Sequence, residues 1–174
     1  MKKLSTMVTA TLMIAAMLVS VTTWAQSPAA TATGKLASGA NVTIKYSSPS
    51  VKGRKIYGTD LVPYGKVWRA GANEATTIEF DKDVTVEGKA LPKGKYSVYA
   101  IASEKDWQII FNKQTGQWGI TRAGETTRDA SKDAAVVTVT PKKAASMQEA
   151  LKYVVSADGF SIVWENLEVP VKVK

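Results

Sequence analysis

Hydrophobic and polar positions alternate with period two along most of the chain beyond residue 40, the spacing that turns one face of a strand to a core and the other to solvent. Asn41 to Tyr46 sets Val42, Ile44 and Tyr46 on one face, and Ser48-Pro49-Ser50 ends the run. Thr76, Ile78 and Phe80 repeat the pattern, Asp81-Lys82-Asp83 turns the chain, and Val84 to Glu87 follows before Gly88 turns it again. Leu91-Pro92-Lys93-Gly94 joins a proline of fixed φ to a glycine, and predicts a turn into Lys95 to Ile101, where Tyr96, Val98 and Ala100 share a face. Trp107, Ile109 and Phe111 alternate next, Gly116 to Gly124 is a glycine-punctuated loop, and Ala134 to Thr140 reads as a strand ended by Pro141.

The best hairpin signal comes last. Leu151 to Val155 runs into Asp158-Gly159, and Phe160 to Trp164 returns. Val169, Val171 and Val173 alternate in a final strand, where Pro170, with no N–H to donate, points to a sheet edge. Ala144 to Tyr153 holds the helix formers Met147, Glu149, Ala150 and Leu151, yet the hairpin favours strand from about Glu149. No segment sustains the apolar spacing of an amphipathic helix. The pattern therefore predicts an all-β fold: a single-domain β-sandwich of about eight or nine short strands over residues 36–174, with an irregular barrel as the alternative.

The start of the chain follows another logic. Met1-Lys2-Lys3 is positive, an apolar run centred on Leu12 to Val19 follows, and Thr23-Trp24-Ala25 has the small residues that a signal peptidase reads. The apolar stretch is shorter than the roughly 20 residues that cross a bilayer, and no charged stop follows. Residues 1–25 are thus expected to be a signal peptide cleaved near Ala25, with Ala30-Thr31-Ala32 as a second possible cut. The mature chain would be periplasmic or secreted, without a transmembrane anchor. Residues 26–35, mostly alanine, threonine and proline, read as a mobile leader.

Composition narrows the chemistry. Hydrophobic residues make up 45% and charged ones 22%, ordinary values for a globular domain. The net charge of +8 is scattered singly among acidic residues, which suits a solvated surface and gives no expectation of nucleic acid. With no cysteine there is no disulfide, thiolate site or lipidated anchor. With no histidine, imidazole-based triads and imidazole-ligated zinc are excluded. No metal site and no cofactor is expected: Asp81-Lys82-Asp83, Asp129 and Asp133 offer oxygens but lack a calcium-loop pattern, and read as turn chemistry.

Several stretches resemble a known family. Tyr46 to Arg54, Leu61 to Thr76 (Leu-Val-Pro-Tyr-Gly-Lys-Val-Trp-Arg-Ala-Gly-Ala-Asn-Glu-Ala-Thr), Leu91 to Ser97, Ile110 to Lys113 and Gln117-Trp118-Gly119 are similar to the bacterial domain of unknown function numbered 2911, found in secreted proteins of Bacteroidota. The likeness runs from about Gly34 to Val173. It implies an exported β-rich domain and supplies no activity, cofactor or catalytic residue.

Two segments are candidates for a site. Tyr64, Lys66, Trp68, Arg69, Asn73 and Glu74 lie close together between Pro63, Gly65 and Gly71; Asn112, Lys113, Gln117 and Trp118 form a second polar-aromatic group. An aromatic face stacks on a sugar ring, and Arg, Asn and Glu bond its hydroxyls or a carboxylate. A structural reading competes: Trp68 as a core residue, Arg69 and Glu74 paired, Gly71 serving a turn. The leading expectation is a non-catalytic module binding a glycan or another envelope component, with no catalytic residue assigned. A protein-interaction module is the first alternative. A histidine-free hydrolase using carboxylates such as Glu74 and Glu79 is the second.

Overall fold

The computed structural model describes residues 26–174; the signal peptide expected over 1–25 lies outside the described residues. Among the described residues there are eleven strands and one turn of 3-10 helix, Ala130–Lys132. The strands are β1 (Ala29–Lys35), β2 (Asn41–Ser47), β3 (Val67–Trp68), β4 (Thr77–Phe80), β5 (Val84–Val86), β6 (Lys89–Leu91), β7 (Gly94–Ile101), β8 (Trp107–Asn112), β9 (Asp133–Val139), β10 (Lys142–Ser156) and β11 (Gly159–Lys172).

The fold is all-β and antiparallel. One sheet runs β1-β2-β4-β7-β8-β9, and β3 also pairs with β7. The sheet ends at β1 and β9 and does not close, so the architecture is a sandwich and not a barrel. The second layer is the β10–β11 ribbon with the small β5–β6 hairpin, which it meets through the bridge between Val86 and Val173. Period-two alternation holds where it was expected. Val42 and Ile44 of β2, Ile78 and Phe80 of β4, Val98 and Ala100 of β7, and Trp107, Ile109 and Phe111 of β8 all enter one core with Phe160, Ile162 and Trp164 of β11.

At the centre of that core four aromatic rings interlock. Trp68 stacks on Trp164 at 6.2 Å and meets Trp107 edge-on at the same distance, while Tyr57 packs edge-on against both Trp107 and Trp164. The Tyr57 hydroxyl donates to the Trp164 carbonyl at 2.9 Å, so this buried polar group is satisfied; burial and the neighbouring Glu165 push its pKa up.

Three expectations change. Residues 29–35 are not a mobile leader but a full strand, paired residue for residue with β2 from Ala29–Ser47 to Lys35–Asn41. Small residues suit it because Gly34 lies against β10: a Cβ there would sit 2.6 Å from Val155 Cγ1. The stretch Ala144 to Tyr153 is strand throughout, and its helix formers occupy a β10 segment with two register shifts against β11. Finally, Val169 to Lys172 is not a separate strand but the continuation of β11, which changes direction near Glu165, a residue with φ +51°, and Val173 follows as a bridge to Val86.

That bend explains Gly159. The two-residue turn is Ala157–Asp158, and Gly159 opens β11 opposite Ser156. Its φ is +144°, and a Cβ would lie 2.0 Å from the Val171 carbonyl oxygen, because the far end of β11 returns to this point. The Val173 N–H donates to the Asp158 carbonyl at 2.9 Å and closes the contact.

The acidic turns behave as turns. Asp81 accepts from the Asn41 N–H and side-chain amide at 2.7 and 2.6 Å, Asp83 accepts from the Lys93 N–H, and Asp129 accepts from Ser131. Those bonds to Asn41 hold the Asp81 carboxyl below its usual pKa.

Candidate functional site

The two candidate segments meet at Ala75 and Gln117 on the outer face of the main sheet, while Trp68 and Ala70 of the first reach round to the β10–β11 side. Asparagine, glutamine and glycine direct the chain from β8 across the outer face before it returns to β9. Asn112 ends β8 and is fully buried; its side-chain amide donates to the Asp129 carbonyl at 2.8 Å and to Asp133 Oδ1 at 2.7 Å, and its own oxygen accepts from the Gln114 N–H. Arg128 pairs with Asp133, so both ends of the excursion are tied to one carboxylate. Asn112 is therefore a clasp, not a ligand contact: every polar atom of its side chain is engaged within the protein.

Between these ends the loop docks on the sheet. Gln117 donates to the Tyr99 hydroxyl at 2.7 Å, and its carbonyl accepts from the Ala75 N–H at 3.1 Å. Tyr99, Ile110 and Ala75 form a second small core under it, separate from the main one. Gly119 seats the loop against the other segment, since a Cβ there would lie 2.9 Å from Arg69 Cδ and 3.3 Å from Ala75 Cα.

The segment from Tyr64 to Glu74 is partly structural. β3 pairs Val67 and Trp68 with Ile101 and Ala100 of β7, which drives Trp68 into the aromatic core at 7% exposure. The Ala70 carbonyl accepts from the buried Tyr153 hydroxyl at 2.7 Å and from Thr76 Oγ1 at 3.0 Å, bolting the loop to the second layer. Asn73, at φ +55°, donates to the Ser27 carbonyl and to Ser47 Oγ, and so fastens the entry to β1. Lys66 and Lys113 are exposed and line neither groove described next, and Tyr64 is exposed beside a different hollow formed with Trp107, Lys142 and Asn166.

Two grooves flank the docked loop. The first, about 280 Å³, lies over the sheet between Thr31, Lys45, Thr77 and Lys95 on one side and Glu74, Gly116 and Gln117 on the other. Glu74 is the one carboxylate among its lining residues, so no acid pair is presented there. The second, about 230 Å³, is lined by Leu61, Pro63, Trp68, Arg69, Ile120, Gly124 and Trp164 of β11, and so lies beside the second layer and not over the outer face; Asp60 is exposed at its rim. Trp118 is 46% exposed on the crest between them, because the residues before it line one groove and those after it line the other.

Arg69 does not pair with Glu74, nor with any carboxylate among the described residues. Its Nη1 is buried without a hydrogen-bond partner, and burial pulls the guanidinium below its ordinary pKa. The indole N–H of Trp164 and the side-chain oxygen of Gln117 are also buried without partners.

A family model described as protein of unknown function (DUF2911) matches residues 27–173, from just before β1 to the last bridge of the second layer. The chain belongs to the DUF2911 family. Strand β1, which composition alone made a leader, falls inside the matched DUF2911 region. No curated protein and no solved structure matches the chain.

The two segments singled out in the sequence lie against each other, but their members differ in what they do. Trp68, Asn73 and Asn112 hold the fold, Arg69 and Glu74 line the grooves, and Trp118 is exposed without lining either. Sequence reasoning missed Lys45, Thr77 and Lys95, which reach the first groove through strand register, and Ile120 and Trp164, which reach the second from distant segments. The outward-facing Lys45 and Thr77 were legible as alternation, but their pairing across β2 and β4 was not.

Proposed function

We propose that this DUF2911 domain is an exported, non-catalytic ligand-binding module that takes a glycan or another cell-envelope component across its outer sheet face. The observation that carries this reading is the exposed Trp118 on a crest between two grooves, over a loop fixed by Gln117 and Asn112. At 46% exposure Trp118 leaves much of its indole open to solvent on a braced loop, and a flat aromatic face suits a sugar ring. Polar groups in the grooves on both sides supply partners for hydroxyls. A catalytic reading has less support, because Glu74 lacks a second carboxylate in its groove.

Export rests on the signal-peptide pattern of residues 1–25. Intact mass of the protein recovered from periplasm or medium should begin after Ala25; a mass that retains Met1 would remove this part. For binding, the test is an array of envelope polysaccharides read with the wild type and Trp118→Ala. Wild-type binding that the variant loses by about tenfold or more supports the module. Absence of wild-type binding, or binding indifferent to Trp118, would overturn it.

A protein-interaction reading is favoured by one feature, the edge strand β1, which carries no charge before Lys35. Cross-linking through a residue placed at Thr31 should capture a partner only on that reading.

A further inference from the structure

A guanidinium nitrogen buried without an acceptor is costly, since a charged group removed from water loses its hydration and regains nothing. Native chains seldom keep such a group for stability alone, and where a cleft adjoins it a partner has room to reach it. Arg69 is half-buried in such a setting: its Nη1 is enclosed without an acceptor, the rest of its guanidinium makes no hydrogen bond among the described residues, and its surroundings are specific. Trp68, Trp164, Leu61 and Ile120 give the cleft apolar walls, and the loop backbone at Gly119 presses on the Arg69 stem so that the side chain has little freedom to leave. Asp60, at the rim, makes no ion pair with Arg69.

We infer that the cleft at Arg69 is a carboxylate-binding subsite: the guanidinium receives the acid group of a ligand whose apolar or ring portion lies against the Trp68–Trp164 wall. Arginine suits this role because its planar fork meets a carboxylate with two parallel hydrogen bonds, and a low-dielectric wall strengthens them. The volume of about 230 Å³ is below the roughly 300–1,000 Å³ of pockets for drug-sized ligands, which fits one acidic sugar or aromatic-acid unit of a larger molecule. The free carboxylate of Asp60 at the mouth then accepts from a hydroxyl or ammonium on the same unit.

This inference rests on the ligand-binding reading above and names its chemistry. A neutral glycan bound through Trp118 with no dependence on Arg69 would leave that reading intact and remove this one. The direct test uses benzoate, its neutral isostere benzamide, and inorganic phosphate, followed by tryptophan fluorescence of the mature protein. Benzoate should saturate with a dissociation constant on the order of 1 mM, and benzamide should bind about tenfold or more weakly. Arg69→Met, which keeps the packed stem, should lose the difference between the two and melt no lower than wild type, because it removes an unpaired buried charge. Arg69→Lys should retain a weakened preference, and serves as the test on its own if the Met variant does not fold. Equal response to benzoate and benzamide, response to neither, or a preference that survives Arg69→Met would overturn the subsite. A phosphate response equal to that of benzoate would overturn its assignment to carboxylates.

Discussion

The two faces of the main sheet are built from the same strands and stabilised in different ways. On the inner face, Val98, Ala100, Ile109 and Phe111 meet the β10–β11 ribbon, and a tryptophan cluster fills the middle. On the outer face, Tyr99 and Ile110 alternate with those residues but are covered only by a loop, held by Gln117, Asn112 and Asp133. The inner face relies on area removed from water, which does not depend on any single bond. The outer cover relies on a few directional contacts; among the described residues, buried polar atoms without a partner occur in it at Gln114 and Gln117 and beside it at Arg69, and in the inner core at the indole nitrogens of Trp107 and Trp164. The difference between the faces is thus in what holds each one, area on the inner side and a few bonds on the outer.

Substitutions rank by how deeply they reach into that division. The largest effect is expected at Gly159, where the second layer closes on itself. Gly159→Ala forces a side chain into the Val171 carbonyl at a φ that side chains rarely adopt. Urea unfolding should show a loss of about 4 kcal/mol or more, or no folded protein at all. A loss under about 1 kcal/mol would mean that the bend of β11 is not fixed by this contact.

A smaller and more local effect is expected from the clasp. Asn112→Ala leaves Asp133 and the Asp129 carbonyl short of a donor in a partly buried site, at a cost of about 1–3 kcal/mol. The comparison of faces predicts where that cost appears. Amide exchange should quicken from Lys113 to Asp129 while β7 and β8 keep the protection of the inner core. Uniform loss of protection across both faces would show that the outer loop is part of the same cooperative unit.

The sequence made the inner face legible and the outer face only partly so, for physical reasons. Burial on one side of a strand leaves a period-two trace in the residues themselves, and Val42, Ile44, Ile78, Phe80 and Val98 carry it plainly. β1 leaves a weak trace, because a strand that must lie close to Val155 uses alanine and glycine, the residues of a linker. The long, bent β11 read as two strands because a left-handed residue at Glu165 interrupts its alternation without ending its pairing. In the candidate site, residue type was informative and environment was not. Trp68 and Trp118 are the same side chain in similar glycine-flanked settings, and only the pairing of β3 with β7 sends one inward.

Trp118 gives the smallest stability effect and the sharpest separation of the two faces. Its ring is 46% exposed and none of the bonds that hold the loop pass through its side chain, which run instead through Gln117, Asn112 and Asp133. Trp118→Ala should therefore change unfolding free energy by no more than about 0.5 kcal/mol, the range of an ordinary surface site. The same truncation at Trp68, stacked on Trp164 in the core, should cost about 3–5 kcal/mol. Chemical denaturation of both variants measures the contrast directly. If Trp118→Ala approaches the cost of Trp68→Ala, the exposed indole is bracing the loop, and it loses its place as the residue that meets a ligand. If the two differ as expected, stability does not account for a tryptophan at position 118, and the indole keeps its place as the residue proposed to meet a ligand.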